Sequence, residues 1–185
     1  MSKRNNYLTW PEYFITIAQV CAWRSKDPNT QVGVVIVNNN KEIIATGYNG
    51  LPWGCNDDNY PWENDKSNWL ENKYPYVVHA EANAIIHARQ DCHGFSLYTT
   101  LFPCCECAKL IIQAGIKQIF YSNDKHGEEK EVIAAKRMLQ DARVELNLIS
   151  APKIIIEKNP LLKNKKLYFC HVLSPIAYMP KNKLR

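Results

Sequence analysis

The sequence lacks several features that would place it in other classes of protein. No run approaches the roughly 18 uncharged apolar residues of a membrane-spanning helix, and no internal repeat is visible. With 46% hydrophobic and 22% charged residues, the composition is neither that of a disordered chain nor that of a collagen-like one. These absences leave a globular protein, and its 185 residues are about one domain's worth.

A secretory leader and a disulfide framework are also missing. The most apolar N-terminal run, Tyr13 to Trp23, has helical spacing and no small-residue cleavage site after it. The seven cysteines are an odd number, and Cys104, Cys105 and Cys107 lie too close together for simple disulfides. A reducing compartment and a metal-binding role fit this pattern better, so we expect a cytoplasmic protein.

Acidic residues become scarce only towards the C-terminus. The formal net charge is +5, but from Ala151 onward there are eight Lys or Arg and one acid, which leaves residues 1–150 at −2. A uniformly basic surface for nucleic acid is therefore not indicated. The pattern predicts a domain over residues 1–150 and a basic C-terminal extension over residues 151–185, partly packed or flexible.

Hydrophobic periodicity predicts alternating strands and helices. Thr9 and Glu12 have the spacing of a capping box, so a helix is expected to begin there. β-branched runs at 32–37 and 43–48 flank three asparagines and predict a hairpin. Further predicted elements are a helix over 79–89, a strand over 96–100, a helix over 104–114, a strand over 118–121, a helix over 128–141 and a strand over 144–149.

The order of these elements predicts the fold class. Strands that alternate with helices after Ser96 require right-handed parallel crossovers, whereas the hairpin before them is antiparallel. We therefore predict an α/β fold, a five-stranded mixed sheet with helices on both faces. The long connection over residues 51–76 has no clear periodicity, and a loop of that length is usually functional.

Two short motifs combine residue types that bind zinc. One is His79-Ala80-Glu81, and the other is Pro103-Cys104-Cys105-Glu106-Cys107; each opens a predicted helix. Cys104 and Cys107 are three residues apart and share a helical face, whereas Cys105 points elsewhere. Two thiolates and one imidazole form a zinc ligand set that leaves a fourth position open for water. The spacing matches H-x-E…P-C-x-x-C, the signature of zinc-dependent nucleobase deaminases.

The alternative for these motifs is a closed structural zinc site. Its fourth ligand would be Cys105, Cys55 or His87. Such a site would leave Glu81 without a task, although it lies two residues beyond His79 and near the metal. We therefore predict that Glu81 is catalytic and moves protons.

Longer segments around the motifs resemble the deoxycytidylate (dCMP) deaminase family of the zinc-dependent cytidine deaminase superfamily. They are Arg24-Ser-Lys-Asp-Pro-Asn-Thr-Gln-Val-Gly33, Gly47-Tyr-Asn-Gly-Leu-Pro-Trp-Gly-Cys55, Lys73-Tyr-Pro-Tyr-Val-Val-His-Ala-Glu81 and Leu101-Phe-Pro-Cys-Cys-Glu-Cys-Ala-Lys-Leu-Ile-Ile-Gln-Ala-Gly-Ile-Lys117. The resemblance implies a three-layer α/β/α cytidine-deaminase-like fold. It also implies hydrolysis of dCMP to dUMP and ammonia, which supplies dUMP for thymidylate synthesis. The segment at 122–127 departs from the family pattern, because it replaces one that usually carries a tyrosine.

The resemblance assigns roles at the predicted site. His79, Cys104 and Cys107 would hold Zn²⁺, which makes hydroxide available for attack on C4 of cytosine. Glu81 would carry the water proton to N3 and later protonate the leaving amine.

Substrate contacts are assigned to four further residues. The resemblance implies that Asn49 hydrogen-bonds the sugar, and Ala80 is also expected at the substrate. Arg24 and Lys26 are the best local candidates for the 5′-phosphate. The alternatives are that Asn49 is a turn residue and that Arg24 and Lys26 belong to a solvated polar loop.

The resemblance further implies a regulated homohexamer, activated by dCTP with Mg²⁺ and inhibited by dTTP. The effector is expected near Gly47, Tyr48 and Gly50; the alternative is that these glycines only turn the chain. No membrane or nucleic-acid partner is expected. The competing hypotheses are a nucleic-acid deaminase whose basic extension follows phosphates, and a non-catalytic zinc protein, which the presence of Glu81 disfavours.

Overall fold

The helices and strands follow the alternation that the hydrophobic pattern predicts. They come from a computed structural model, which describes residues 1–65, 67–158 and 168–173. In chain order the elements are α1 (Trp10–Ala22), β1 (Gly33–Val37), β2 (Ile43–Tyr48), α2 (Ala80–Ala88), β3 (Ser96–Thr99), α3 (Cys105–Gln113), β4 (Gln118–Tyr121), α4 (Lys130–Asp141), β5 (Glu145–Leu148), β6 (Lys153–Lys158) and β7 (Tyr168–Leu173). Two compact units contain them, Met1–Ser150 and Ala151–Arg185.

The first unit is built on a five-stranded mixed sheet. Its strand order is β2-β1-β3-β4-β5. β1 runs antiparallel to β2 and β3, whereas β3, β4 and β5 are mutually parallel. The parallel part follows from the helical crossovers, because α3 and α4 each return the chain to the same end of the sheet. The predicted α/β fold with a five-stranded mixed sheet is confirmed.

Helices cover both faces of this sheet, and two glycines permit their close approach. A Cβ added to Gly33 would lie 1.9 Å from the carbonyl oxygen of Ala18 in α1. A Cβ added to Gly47 would lie 2.2 Å from the carbonyl oxygen of Ala80 in α2. The two glycines lie on opposite faces, because Gly47 is paired with the residue after Gly33 in the antiparallel register. α1 and α2 therefore occupy different layers.

The main core lies between the sheet and the layer that contains α2, α3 and α4. Its fully buried members include Val34, Ile36, Ala84, Leu97, Ala108, Ile111, Ile119 and Leu139. On the other face, Phe14 of α1 packs on Tyr98, which stacks on Phe120 at a centroid distance of 4.5 Å. The fold thus has the three α/β/α layers that the family resemblance implies.

The N-terminal caps of the helices match the capping box and the two motifs of the sequence. The predicted capping box is present at α1, where the Glu12 carboxylate accepts a hydrogen bond from the Thr9 N–H at 2.8 Å. His79 is the N-cap of α2 and Cys104 is the N-cap of α3. Both helices therefore begin one residue later than predicted, and their N-terminal ends present the two motifs.

The second unit is described by its two strands. β6 and β7 pair antiparallel, with Lys153 opposite Leu173. The predicted packing or flexibility of the rest of the extension concerns residues 159–167 and 174–185, which lie outside the described residues. Among the helices of the described ranges, none combines the length and apolar character needed to cross a membrane.

Candidate active site

The N-terminal ends of α2 and α3 bring His79, Cys104 and Cys107 together. His79 Nδ1 lies 3.3 Å from Cys107 Sγ and 3.4 Å from Cys104 Sγ. The candidate ligand atoms of the three residues all lie within 4.8 Å of one another. Zinc binds sulfur at about 2.3 Å and nitrogen at about 2.0 Å, so donors at tetrahedral angles are about 3.5 Å apart. The three side chains therefore fit one zinc ion.

Proton affinities within this cluster are shifted by its own hydrogen bonds. The nearby Cys107 and the neighbouring imidazole stabilise the Cys104 thiolate and lower the pKa of Cys104 to about 4. The hydrogen bond with Cys104 raises the pKa of His79 to about 9. The same Cys104 sulfur raises the pKa of Cys107 above its usual range. The cluster thus stabilises a thiolate at a helix N-terminus, the form that binds a metal.

The residues that could close the metal site lie elsewhere. Within the described part of the chain, the cluster contains only the three side chains above. Cys105 Sγ is directed to the Glu106 carboxylate at 3.9 Å. Cys55 borders a different pocket, and His87 lies in the last turn of α2. The arrangement does not support the closed structural site, because none of its three proposed fourth ligands is nearby.

Glu81 lies beside the cluster on the first turn of α2. Its side chain is buried, and Oε2 accepts a hydrogen bond from Cys107 Sγ at 3.3 Å. Burial raises the pKa of the Glu81 carboxyl, which brings proton uptake closer to neutral pH. A carboxyl in this position can exchange protons with a molecule in the adjoining cavity.

A cavity of about 340 Å³ opens beside Glu81. Its volume is in the range of small-ligand sites. Five of the residues predicted from sequence border it: Asn49, His79, Ala80, Glu81 and Cys104. The structure therefore brings most of the predicted catalytic and binding residues to one place. Cys107 does not border the cavity but contacts these residues through its hydrogen bond to Glu81.

A smaller pocket of about 160 Å³ is bordered by four of the other predicted residues. Arg24 and Lys26 border it and not the larger cavity, together with Tyr48 and Gly50. The Arg24 guanidinium lies 5.6 Å from the centre of the Tyr48 ring, and Lys26 forms an ion pair with Asp57. Gly47 faces α2 instead of this pocket, so its lack of a Cβ serves helix packing.

Sequence reasoning missed several residues of the larger cavity. Asp27 and Lys73 form a buried ion pair there, and Phe102 and His126 are further lining residues. His126 belongs to the segment that departs from the family pattern. For the ion pair, the signal that could have been used is that both charged residues lie in segments that carry the resemblance. Their separation of 46 residues gives no local indication that they meet.

Comparisons with known proteins agree with this geometry. A family model described as the cytidine and deoxycytidylate deaminase zinc-binding region matches residues 8–123, more than half of the chain. The deoxycytidylate deaminase of Pongo abelii is 49% identical over 158 residues, which cover 84% of this chain and 89% of the relative. That of Mus musculus is 52% identical over 143 residues, covering 77% and 80% respectively.

A solved structure gives the same picture at lower identity. The dCMP deaminase from the cyanophage S-TIM5, in complex with dCMP and dUMP, superimposes with a TM-score of 0.61 at 28% sequence identity. The match covers 75% of this chain and 95% of that one. The similarity therefore extends over nearly the whole of the neighbour's fold.

Proposed function

The chain is an enzyme of the cytidine and deoxycytidylate deaminase family, and we propose that it hydrolyses dCMP to dUMP and ammonia. Two observations support dCMP as the substrate. The similar curated proteins are named deoxycytidylate deaminases, and the similar phage enzyme was solved with dCMP and dUMP. A single observation of the structure carries the proposal: the buried Glu81 carboxyl beside the His79, Cys104 and Cys107 cluster in a cavity of suitable size.

We propose Zn²⁺ as the resident metal. The donor set supports it, because two thiolates and one imidazole at these separations suit zinc better than magnesium or calcium. His79, Cys104 and Cys107 would hold the ion, and its chemistry there would be to lower the pKa of a water molecule to about 7 and to polarise it for attack.

Glu81 carries the proton transfers that the hydrolysis needs. Its carboxylate takes a proton from the attacking water and gives it to N3 of cytosine while the water oxygen bonds to C4. It then takes the remaining proton of that oxygen and gives it to the amino group, so that the C4–N bond breaks and ammonia leaves. The products are dUMP, which would feed thymidylate synthesis, and ammonia, and all protons of the water are accounted for.

The substrate contacts are assigned to the residues that border the cavity. Asn49 is proposed to bind the sugar, and Ala80, at the start of α2, to lie against the base. Binding of the 5′-phosphate by Arg24 and Lys26 stays a prediction. Their place at the second pocket supports a further role for them, with the phosphates of an effector.

Regulation by dCTP and dTTP is proposed for the second pocket, with Mg²⁺ and within a homohexamer. Two short segments border both pockets. Arg24 and Lys26 face the second pocket, whereas Asp27, the next residue, faces the first. Tyr48 and Gly50 likewise flank Asn49, which faces the first pocket. A ligand in one pocket therefore contacts the same backbone that shapes the other, which is a physical basis for coupling.

A substrate panel tests the proposed reaction. Ammonia release is measured with dCMP, dCTP, deoxycytidine and cytosine-containing oligonucleotides, and the product is identified chromatographically. We expect dCMP to give the highest kcat/KM and to yield dUMP. Preferred turnover of an oligonucleotide would instead favour the competing hypothesis of a nucleic-acid deaminase. The zinc-loaded Glu81→Gln variant serves as the control for non-enzymatic deamination.

A further inference from the structure

A buried ion pair lines the wall of the larger cavity. Lys73 Nζ lies 2.7 Å from both carboxylate oxygens of Asp27, and the two side chains are only 9% and 3% exposed. The carboxylate also accepts hydrogen bonds from the backbone N–H groups of Asn29 and Thr30, at 2.8 and 3.1 Å. Burying two charges is costly, so the stability of the fold does not by itself explain this pair.

The arrangement defined here is that of the Asn49 side chain. The backbone N–H of Val32 donates to Asn49 Oδ1 at 2.8 Å. Asn49 Nδ2 donates to the Thr30 carbonyl at 2.9 Å and to Asp27 Oδ2 at 3.3 Å. An N–H can only donate and a carbonyl can only accept, so these partners determine which way the amide faces. Both amide hydrogens are used, and one lone pair of Oδ1 is left for a ligand.

We propose that Asp27, held by Lys73, is a positioning residue that makes Asn49 purely a hydrogen-bond acceptor and so selects nucleotides with a free 3′-hydroxyl. The inference rests on the proposed function, in which Asn49 meets the sugar of dCMP. The deoxyribose of dCMP has one hydroxyl, at C3′, and it can donate to Oδ1. An esterified 3′ oxygen has no hydrogen, so it meets Oδ1 as acceptor against acceptor.

An Asn49 side chain that can only accept hydrogen bonds distinguishes mononucleotides from nucleic acids. Every internal residue of a DNA strand has an esterified 3′ oxygen, as does a nucleoside 3′-phosphate. Without the carboxylate of Asp27, one N–H of Asn49 would be free to bind such an oxygen. Lys73 contacts both oxygens of the carboxylate, which keeps it from turning away from Asn49. The ion pair therefore acts through Asn49 on the choice of substrate.

The test uses full-length, zinc-loaded enzyme with the double substitution Asp27→Asn and Lys73→Met. Removing both charges avoids leaving either one buried alone. The new amide keeps an oxygen for the N–H groups of Asn29 and Thr30 but presents a donor to Asn49. The substrates are dCMP, 2′,3′-dideoxy-CMP, which lacks the hydroxyl, and 3′-O-methyl-dCMP, whose 3′ oxygen can only accept.

The expected result is a change in substrate preference. Wild-type enzyme should prefer dCMP over both analogues by about 100-fold or more in kcat/KM, because each leaves a buried polar group unpaired. The double variant should reduce the preference over 3′-O-methyl-dCMP to about ten-fold or less, through a lower KM for that analogue. The methyl group has the same size in both experiments, so steric exclusion alone would not change this ratio.

A second ion pair provides the matched control. Lys136 and Asp124 are also 2.7 Å apart, but they lie on and before α4, and within the described part of the chain neither forms a hydrogen bond or ion pair with Asn49. The substitutions Lys136→Met and Asp124→Asn remove the same charges. We expect this variant to keep the wild-type preference for dCMP over 3′-O-methyl-dCMP.

The outcomes separate this inference from the proposed function. If the wild-type enzyme deaminates dCMP and the dideoxy analogue equally well, the Asn49–sugar contact and this inference fail, while dCMP deamination stands. A folded double variant with undiminished preference overturns the positioning role alone. Absence of dCMP turnover in the wild type overturns both.

A crystal structure of wild-type enzyme with dUMP decides the matter if the double variant does not fold. We expect Asn49 Oδ1 within about 3.2 Å of the 3′ oxygen, with the contacts of Asp27 to Asn49 and Lys73 retained. A 3′-hydroxyl bound by any other group, or an Asn49 amide that has left Asp27, would contradict the inference.

Discussion

At the scale of single residues, Glu81 differs from its neighbours because it lies beside the metal-ligand cluster without belonging to it. We expect Glu81→Gln to keep zinc, since the three ligands are unchanged, but to lose at least about 100-fold in kcat, because an amide cannot shuttle protons. Metal analysis and steady-state kinetics on dCMP check both parts. A variant with more than about a tenth of the wild-type rate would show that another group moves the protons.

The three neighbouring cysteines are predicted to differ in whether they bind zinc, because only two of their sulfurs lie in the ligand group. Cys104→Ala and Cys107→Ala should lose stoichiometric zinc and activity, because both sulfurs lie within the ligand group. Cys105→Ala is the matched control and should keep both, since its sulfur is directed towards Glu106. Zinc content of the purified variants is the measurement. Loss of zinc from the Cys105 variant with retention in the Cys104 variant would reverse the ligand assignment.

At the scale of elements, the close approach of α1 to the sheet depends on Gly33. We expect Gly33→Ala to lower the free energy of unfolding by about 3 kcal/mol or more, because the new methyl group would collide with helix backbone that cannot turn aside. Thermal or urea unfolding of the zinc-loaded protein measures the loss. Gly50→Ala is the control, since its Cβ would meet nothing closer than the Tyr48 ring at 3.7 Å. Equal stability of the two variants would contradict this account of the packing.

At the scale of the whole molecule, the site residues all precede Ala151. We expect a protein that ends before Lys153 to deaminate dCMP with kcat and KM close to those of the full chain. The reason is that the metal ligands, Glu81 and every described lining residue of the cavity belong to the first unit. Kinetics and light scattering check it. An aggregated or inactive product would show that the extension belongs to the fold or to the assembly.

Regulation is also a property of the whole molecule. We expect sigmoidal saturation by dCMP that becomes hyperbolic with dCTP and Mg²⁺, whereas dTTP should shift the saturation curve in the opposite direction. The reason is that an effector changes activity only if it binds two conformations with different affinity. Initial rates over a range of dCMP, with and without each triphosphate, measure this. Hyperbolic kinetics that neither triphosphate changes would contradict it.

Substitution of two cations then locates the effector. Arg24→Met with Lys26→Met should abolish the response to dCTP if these side chains bind the effector's phosphates. A raised KM for dCMP in the absence of effector, with the dCTP response intact, would instead place them at the 5′-phosphate of the substrate. The second pocket supports the first of these outcomes.

The sequence by itself determined the features that depend on local spacing. The capping box at Thr9, the order of strands and helices, and the two motifs at His79 and Cys104 all follow from residues a few positions apart, whose relative directions are set by the helix or strand that contains them. The separation of Cys105 from the other two cysteines follows from the same geometry. The family resemblance added the three-layer fold and the reaction class, because it extends over long segments outside the motifs.

Only the tertiary structure decided which distant residues meet. Asp27 and Lys73 are 46 residues apart, and their pairing depends on how the irregular connection before α2 returns to the loop after α1. Whether Arg24 and Lys26 face the larger cavity or the second pocket likewise depends on the path of that loop across the end of the sheet. Such contacts are set by the packing of the sheet and its helices. Spacing along the chain determines which residues share a face of one helix or strand, but it does not determine which other element packs against that face.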